Sequence, residues 1–451
     1  MNKIRIKLDE LSPAQLIVSF YIIAVIISVI LLSLPIALEP GVKWSFIDVL
    51  FTAVSAISVT GLGVVSTPDT LSTAGVFILM FILQFGGIGV MTLGTFLWLI
   101  FGKKIGLRER RLIMTDQNQS NLSGLVVLMK QILGIILLIE FVGALILGTY
   151  FLQYFPSWQE AYLQGLFASV SATTNAGFDI TGESLIPFAK DYFVQGINII
   201  LLTLGAIGFP VLIELKAFFQ HKSDKDFHFR FSLYTKLTTT TFFALMAVGT
   251  VVIILLEFDH YFKGKSWHES LFYAFFQSTT TRNGGLATMD VSDFSDATLI
   301  VLCILMFIGA SPSSVGGGIR TTTFAVNLLF LLNFAKGSST IKAFKREIHP
   351  DDVLKSLAVT LMAAFVCTIA VVLLSITEPF STLQILFEVC SAFGTTGLSM
   401  GITADLSSFG KVIIIALMFI GRIGILSFLV IIGVRKQKAL YHYPKERIII
   451  G

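Results

Sequence analysis

Charge is scarce in this chain. Of its 451 residues 13% are Asp, Glu, Lys or Arg, against about 25% in an average soluble domain. No stretch is polar enough for a soluble domain, so the composition points to a polytopic membrane protein. Cysteine is nearly absent: Cys303, Cys367 and Cys390 all lie in apolar surroundings, with no C-x-x-C and no disulfide framework. The six histidines are scattered over polar loops without metal-ligand spacing. There is no nucleophile–base pair, no phosphate loop and no metal cluster, which argues against an enzyme. A net charge of +4 is too small to argue for a nucleic-acid partner. The basic N-terminus leads into an apolar run that is too long for a signal peptide and lacks a small-residue cleavage site. It reads as a retained first helix.

What the chain has is apolar length, 55% hydrophobic residues, and an internal repeat. Four stretches run Ser55 to Leu62, Ser171 to Phe178, Thr279 to Leu286 and Ser391 to Leu398. Each places a hydroxyl six residues before a glycine, Leu or Phe directly after that glycine, and a phenylalanine ten residues before it: Phe51, Phe167, Phe275 and Phe387. The glycines Gly61, Gly177, Gly285 and Gly397 are 116, 108 and 112 positions apart, a period that organises the whole chain. Spanning a bilayer takes about 20 mostly apolar residues. Eight segments qualify: about 14–38, 76–101, 127–153, 194–218, 235–257, 297–333 (interrupted), 355–377 and 409–434. Between the members of each pair lies a segment too short to span, about 45–58, 158–174, 267–281 and 381–394, leading into a glycine stretch. The expected fold is an all-α membrane protein of four membrane–pore-loop–membrane repeats, 11–112, 122–223, 230–340 and 351–451, with eight transmembrane helices and four re-entrant half-helices.

The N-terminus, the connections 102–130, 214–236 and 336–355, and the C-terminal tail carry 24 of the 32 Lys and Arg residues. By the positive-inside rule both termini are cytoplasmic and the half-helices enter from outside. The outer segments hold Asp179, Glu183, Asp191, Glu257, Asp259, Asp290, Asp293 and Asp296. These form either a solvated loop surface or a weak field that gathers cations.

Irregular backbone inside a bilayer survives only where it is buried in protein or lines water, so the four loops are expected to gather around a cavity. A half-helix entering from outside points its negative carbonyl end at the midplane, which favours a cation there. Glycine allows the returning loop to turn its carbonyls inward. Four such loops can make a carbonyl ring that replaces a cation's water shell. The hydroxyls Ser55, Ser171, Thr279 and Ser391 either hold the half-helix to the loop or cap its last turn.

The second helices carry small residues at matching places, Gly86-Gly-Ile-Gly89, Gly205-Ala-Ile-Gly208, Gly309-Ala-Ser-Pro312 and Gly421-Arg-Ile-Gly424, suited to close helix packing around a pore. The third copy departs from the rest. Gly309, Ala310, Ser311, Pro312, Ser313, Ser314, Gly316, Gly317 and Gly318 break that helix, and an apolar segment, Phe324 to Phe334, comes after it. The break is expected to lie beneath the loops as a flexible plug that gates the conduit; an ordinary cytoplasmic turn is the alternative. Two charges sit deep. Arg422 is expected to face the conduit below the carbonyl ring, with Glu388 as its partner. Glu140 and Arg320 have less definite places.

These features together resemble the Ktr/Trk/HKT superfamily of potassium transporters and, within it, the bacterial KtrB-like membrane subunits. The resemblance runs from about Leu11 to the end. It rests on the four loops, on Thr174-Asn-Ala-Gly-Phe178, on the broken third helix and on Arg422. It implies four repeats around a pseudo-fourfold pore. The filter glycines would be Gly61, Gly177, Gly285 and Gly397, with K+ bound by Val59, Thr60 and Gly61, by Asn175, Ala176 and Gly177, by Asn283, Gly284 and Gly285, and by Thr395, Thr396 and Gly397. It further implies a homodimer in membrane lipid and a separate cytosolic, nucleotide-binding RCK-type ring, KtrA-like, that controls the plug. Sodium is a stimulating ion in some bacterial relatives, and no residue here marks its site; no organic cofactor is implied in this chain. A serine in place of the first glycine accompanies sodium preference in some plant relatives, so Gly61 points to potassium.

The function expected is potassium uptake across the plasma membrane. A sodium-preferring relative is the main rival. An inverted-repeat solute transporter fits less well, because all four repeats share one orientation.

Overall fold

The computed structural model describes residues 13–89, 114, 124–221, 229–338, 340–432 and four isolated tail residues, 444, 446, 448 and 449. The basic N-terminus, most of the expected 102–130 connection and the basic tail lie outside these. Four long helices dominate: α1 (Pro13–Leu32), α4 (Leu125–Phe151), α8 (Leu233–Glu257) and α12 (Pro350–Thr377). All four are long and apolar enough to cross a membrane. Ile22, Ile23, Ile26, Ile27 and Ile30 of α1 are each about half exposed, a stripe suited to lipid rather than to water.

Four shorter helices precede the glycine stretches: α2 (Phe46–Ser58), α5 (Trp158–Thr173), α9 (Trp267–Thr280) and α13 (Thr382–Gly394). Helices of this length are marginal alone, and each begins with the same device. Ser45, Ser157, Ser266 and Ser381 accept the backbone N–H three residues on, from Asp48, Glu160, Glu269 and Gln384. A serine N-cap of this kind contributes about 1 kcal/mol. The carboxylate or amide at the third position completes a Ser-x-x-Asp/Glu/Gln signature that is legible in the sequence. The far halves of α2 and α13, Phe51–Ser58 and Phe387–Gly394, are wholly buried.

The helices after the stretches differ from expectation. The sequence suggests one interrupted span; in the structure all four helices end at or just before a glycine of positive φ. The helix α3 (Thr73–Ile88) stops at Gly89, α6 (Tyr192–Ala206) before Gly208, α10 (Asp296–Ile308) at Gly309 and α14 (Ser408–Ile423) at Gly424, with φ of 97°, 102°, 70° and 89°. A right-handed helix cannot pass through such a residue. After the breaks come α7 (Phe209–His221), α11 (Thr321–Ala335) and α15 (Ile425–Ile432); the stretch directly after Gly89 lies outside the described residues. The α6–α7 pair bends by 103° and counts as a fifth span if taken as one. The breaks also realign the third copy. Gly309 matches Gly89, Gly208 and Gly424, not Gly86, Gly205 and Gly421.

On one face of the molecule, the ends of long helices fasten the starts of the broken ones. Glu257 accepts both the N–H and the hydroxyl of Ser295, and Glu378 does the same for Ser407. Asp191 caps α6 and accepts from Tyr154 Oη at 2.6 Å. Asp179 accepts from Thr181, Gly182 and Ser184 of its own loop. Of the expected outer acids, Asp179, Asp191 and Glu257 are therefore committed to caps and turns. A small hairpin, β1 (Lys342–Ala343) with β2 (Arg346–Glu347), pairs Lys342 with Glu347, and an isolated antiparallel bridge joins Leu38 to Leu71.

Candidate functional site

The four glycine stretches meet. A Cβ built on Gly61 would lie 2.5 Å from Ala176 O and 2.9 Å from Gly177 Cα. One on Gly177 would lie 2.9 Å from Gly285 Cα, and one on Gly285 would lie 2.5 Å from Thr396 O. One on Gly397 would overlap Thr60 O and lie 3.1 Å from Gly61 Cα. The contacts close a cycle, 61 to 177 to 285 to 397 and back to 61. The carbonyl oxygen before each glycine, from Thr60, Ala176, Gly284 and Thr396, lies against a neighbouring loop's glycine. All four glycines have positive φ, 90°, 67°, 68° and 92°, and so does the residue two before each: Val59, Asn175, Asn283 and Thr395. That residue turns the chain out of the short helix. The glycine then lets four backbones approach where no side chain fits.

The clasping hydroxyls correct the frame of the third copy. Ser55 Oγ donates to Leu62 O and accepts from Gly61 N. Ser171 Oγ donates to Phe178 O, and Ser391 Oγ accepts from Gly397 N. These hold the helix end to the loop. In the third copy that part falls to Thr280, whose Oγ1 donates to Leu286 O at 2.6 Å; Thr279 donates one turn back, to Phe275 O. Phe276 is likewise fully buried beside Phe51, Phe167 and Phe387, whereas the expected Phe275 is only partly so. The third loop is thus one residue shorter. Its Asn283 Nδ2 donates to Gly394 O and Thr395 O at 2.5 and 2.7 Å, tying it to the fourth loop.

Residues 309–319 reach the third and fourth loops of this cycle, and most of them are buried. Gly316 packs against the Asn283 side chain, and Gly317 against Thr395 Oγ1 and Gly421 O. Ser311 N donates to Ala206 O, Val315 N to Gly205 O and Phe209 N to Ser313 O. Tyr234 Oη donates to Pro312 O at 2.5 Å. The segment is therefore fastened to the break of the second copy while it touches the loops of the third and fourth. Arg320 donates to Gly316 O. Arg422 donates to Val315 O and to Gly86 O, with Gly87 O at 3.4 Å.

Two guanidinium groups thus bind neighbouring carbonyls of one segment. The expected Arg422–Glu388 pair does not form. Glu388 Oε1 instead accepts the hydroxyls of Ser399 and Thr403, on the loop beyond Gly397. That loop climbs past the buried face of α13 and offers two hydroxyls, while Arg422 finds backbone oxygens at the helix breaks. Glu140 accepts from Gln84 Nε2 at 2.6 Å, joining α4 to α3. Among the described residues no group of three or more His, Cys, Asp or Glu is placed to hold a metal ion.

Comparison with known proteins gives a family and a likeness of fold. The family model described as TrkH, cation transport protein, matches residues 6–443. The chain is 64% identical over 444 residues to the Ktr system potassium uptake protein D of Bacillus subtilis, covering 98% of each. It is 34% identical to the potassium/sodium uptake protein NtpJ of Enterococcus hirae, again over 98% of each. The crystal structure of the potassium transporter TrkH from Vibrio parahaemolyticus superposes with a TM-score of 0.70 at 21% identity, over 92% of this chain and 84% of that one, a likeness of fold.

Proposed function

The chain belongs to the TrkH family of cation transport proteins, and from that premise we propose that it is the pore-forming subunit of a potassium uptake system. The observation that carries the proposal is the closed cycle of four glycines with the carbonyls of Thr60, Ala176, Gly284 and Thr396 gathered at it. A dehydrated alkali cation needs several oxygen ligands at once, and backbone carbonyls held by a rigid scaffold supply them. The short helices α2, α5, α9 and α13 direct their negative carbonyl ends at the same place. On this reading Val59 to Gly61, Asn175 to Gly177, Asn283 to Gly285 and Thr395 to Gly397 form the filter. Four membrane–pore-loop–membrane repeats then surround one pore, with both termini cytoplasmic.

The segment Gly309 to Gly318 is the gate. Its contact with the third and fourth filter loops, and the positive charges of Arg320 and Arg422 beside it, oppose cation passage while it stays there. The Ktr relative is named as part of a system, which favours a second component acting on the gate; a cytosolic RCK-type ring and a homodimer belong to the same proposal. The potassium/sodium relative supports a second reading, in which sodium is carried or stimulates uptake.

The test is rubidium and sodium uptake in cells lacking their own potassium uptake. Expression should restore rubidium uptake well above sodium uptake. Gly397→Ala places a Cβ on Thr60 O at a left-handed φ and should reduce uptake to background with the protein still in the membrane. Near-normal uptake by that variant would sink the carbonyl-ring reading. Sodium uptake equal to or above rubidium would favour the second one.

A further inference from the structure

Arg282 is an unassigned cation beside the filter. It lies in the third glycine stretch and is 1% exposed. Its Nη2 donates to Leu305 O at 2.6 Å, while Nε and Nη1 have no partner among the described residues. No described carboxylate pairs with it. A lone guanidinium in a membrane interior is expensive, and the group it holds indicates why it is there.

Leu305 belongs to the last turn of α10, directly before the gate. Its carbonyl also accepts Gly309 N at 3.2 Å, the last helical bond before the break. The next orphan carbonyls of that helix end, Phe307 O and Ile308 O, accept Ile319 N and Arg320 N at 3.2 and 2.9 Å, where the gate returns. The end of α10 is therefore capped from two sides, by the filter loop through Arg282 and by the gate through its backbone. Asn283, the next residue, bonds to the fourth loop and packs on Gly316.

The other copies do without this link. Counted from the clasping hydroxyl, Arg282 matches Ile57, Thr173 and Phe393, whose carbonyls press directly on Gly86, Gly205 and Gly421. The third copy has Met306 where those glycines stand, and a guanidinium fork makes the connection instead.

We infer that Arg282 is a positioning residue that couples the third filter loop to the root of the gate, so that gate movement and filter shape form one linked transition. This rests on the gate reading above. A rigid fork of five donors holds one carbonyl and has others free to follow a moving helix end, which a lysine cannot reproduce.

The test compares wild type, Arg282→Gln and Arg282→Lys, each in the full chain and in a chain lacking Ser313 to Gly318. Rubidium flux and rubidium-over-sodium discrimination are read in proteoliposomes. In the full chain Arg282→Gln should raise resting flux at least about fivefold and lower discrimination together with it; Arg282→Lys should fall between. In the gate-deleted chain Arg282→Gln should change flux by less than about twofold, because the coupled partner is gone. Equal factors in both backgrounds would overturn the inference and leave the gate reading standing. So would normal flux and discrimination in Arg282→Gln, or in Arg282→Lys should the glutamine variant not fold. Gate deletion that leaves flux unchanged would sink the gate reading, and this inference with it.

Discussion

In the first, second and fourth copies the short helix lays a backbone carbonyl on a glycine of the helix after it, three residues before that helix breaks. In the third copy the glycine is replaced by Met306, the loop is one residue shorter, and Arg282 reaches α10 with a hydrogen bond. Lipid surroundings provide no hydrophobic force between helices, so close packing of small residues and polar bonds do the holding. The two solutions are not equivalent. A carbonyl seated on a glycine has no slack, and a side-chain bond can lengthen or change partner. The copy with the slack is the copy that carries the proposed gate. The first, second and fourth copies form a frame, and the third is tied by a side chain to that segment.

The sharpest way to break this contrast is to remove the proposed gate. Deleting Ser313 to Gly318 should raise rubidium flux by roughly tenfold or more, as expected for a conduit held mostly closed. A deletion of the same length in the 336–355 connection should not. Unchanged flux in proteoliposomes would mean that the third copy differs for some reason other than gating.

Next in size is the packing difference itself. Gly421→Ala puts a methyl group onto Phe393 O, and Gly205→Ala puts one onto Thr173 O. Each should destabilise the protein by about 1–3 kcal/mol, the usual range for overpacking. Met306→Leu, at the matching place in the third copy, should cost less than about 1.5 kcal/mol. Thermal unfolding in detergent would separate them, and equal losses would erase the distinction. The frame shift offers a finer version. Thr280→Val leaves Leu286 O without its buried donor and should cost about 1–3 kcal/mol. Thr279→Val removes only a bond to its own helix and should cost less; the reverse order would restore the frame that the sequence suggests.

That frame marks the limit of what spacing can fix. The period, the short helices and the meeting of the loops follow from spacing, because a buried irregular loop has few places to go. The third register does not, since Phe275-Phe276 and Thr279-Thr280-Thr281 satisfy the pattern in two ways. The length of the loop decides between them, and length becomes visible only once Asn283 and Gly285 take positive φ. In sequence, Gly89, Gly208 and Gly424 read as packing glycines, yet they are the breaks. A glycine that packs and a glycine that turns look alike until the next helical bond is missing. Charge and depth alone pair Glu388 with Arg422, yet hydroxyls and carbonyls nearer to each satisfy them first. The serine caps are legible throughout, as a Ser-x-x-Asp/Glu/Gln pattern at each short helix.

The smallest expected effect concerns the join between the first and fourth copies. Asp48 near the start of α2 and Lys411 near the start of α14 lie 2.9 Å apart, with their side chains 20% and 12% exposed. Partial burial pushes the Asp48 carboxyl upward, but the Ser45 hydroxyl and the Lys411 ammonium more than offset this and hold it below the usual range. A carboxyl depressed in the folded state stabilises the fold above its unfolded value, near pH 4, and that contribution fades as pH falls through the folded value. At neutral pH the pair should contribute no more than about 1 kcal/mol. Asp48→Asn should lower the unfolding temperature slightly at pH 7 and converge with wild type once the pH falls below the folded carboxyl's own depressed value. A difference that persisted there would mean that Asp48 acts through shape, as partner of the Ser45 cap, and that the frame of three rigid copies closes without this charge.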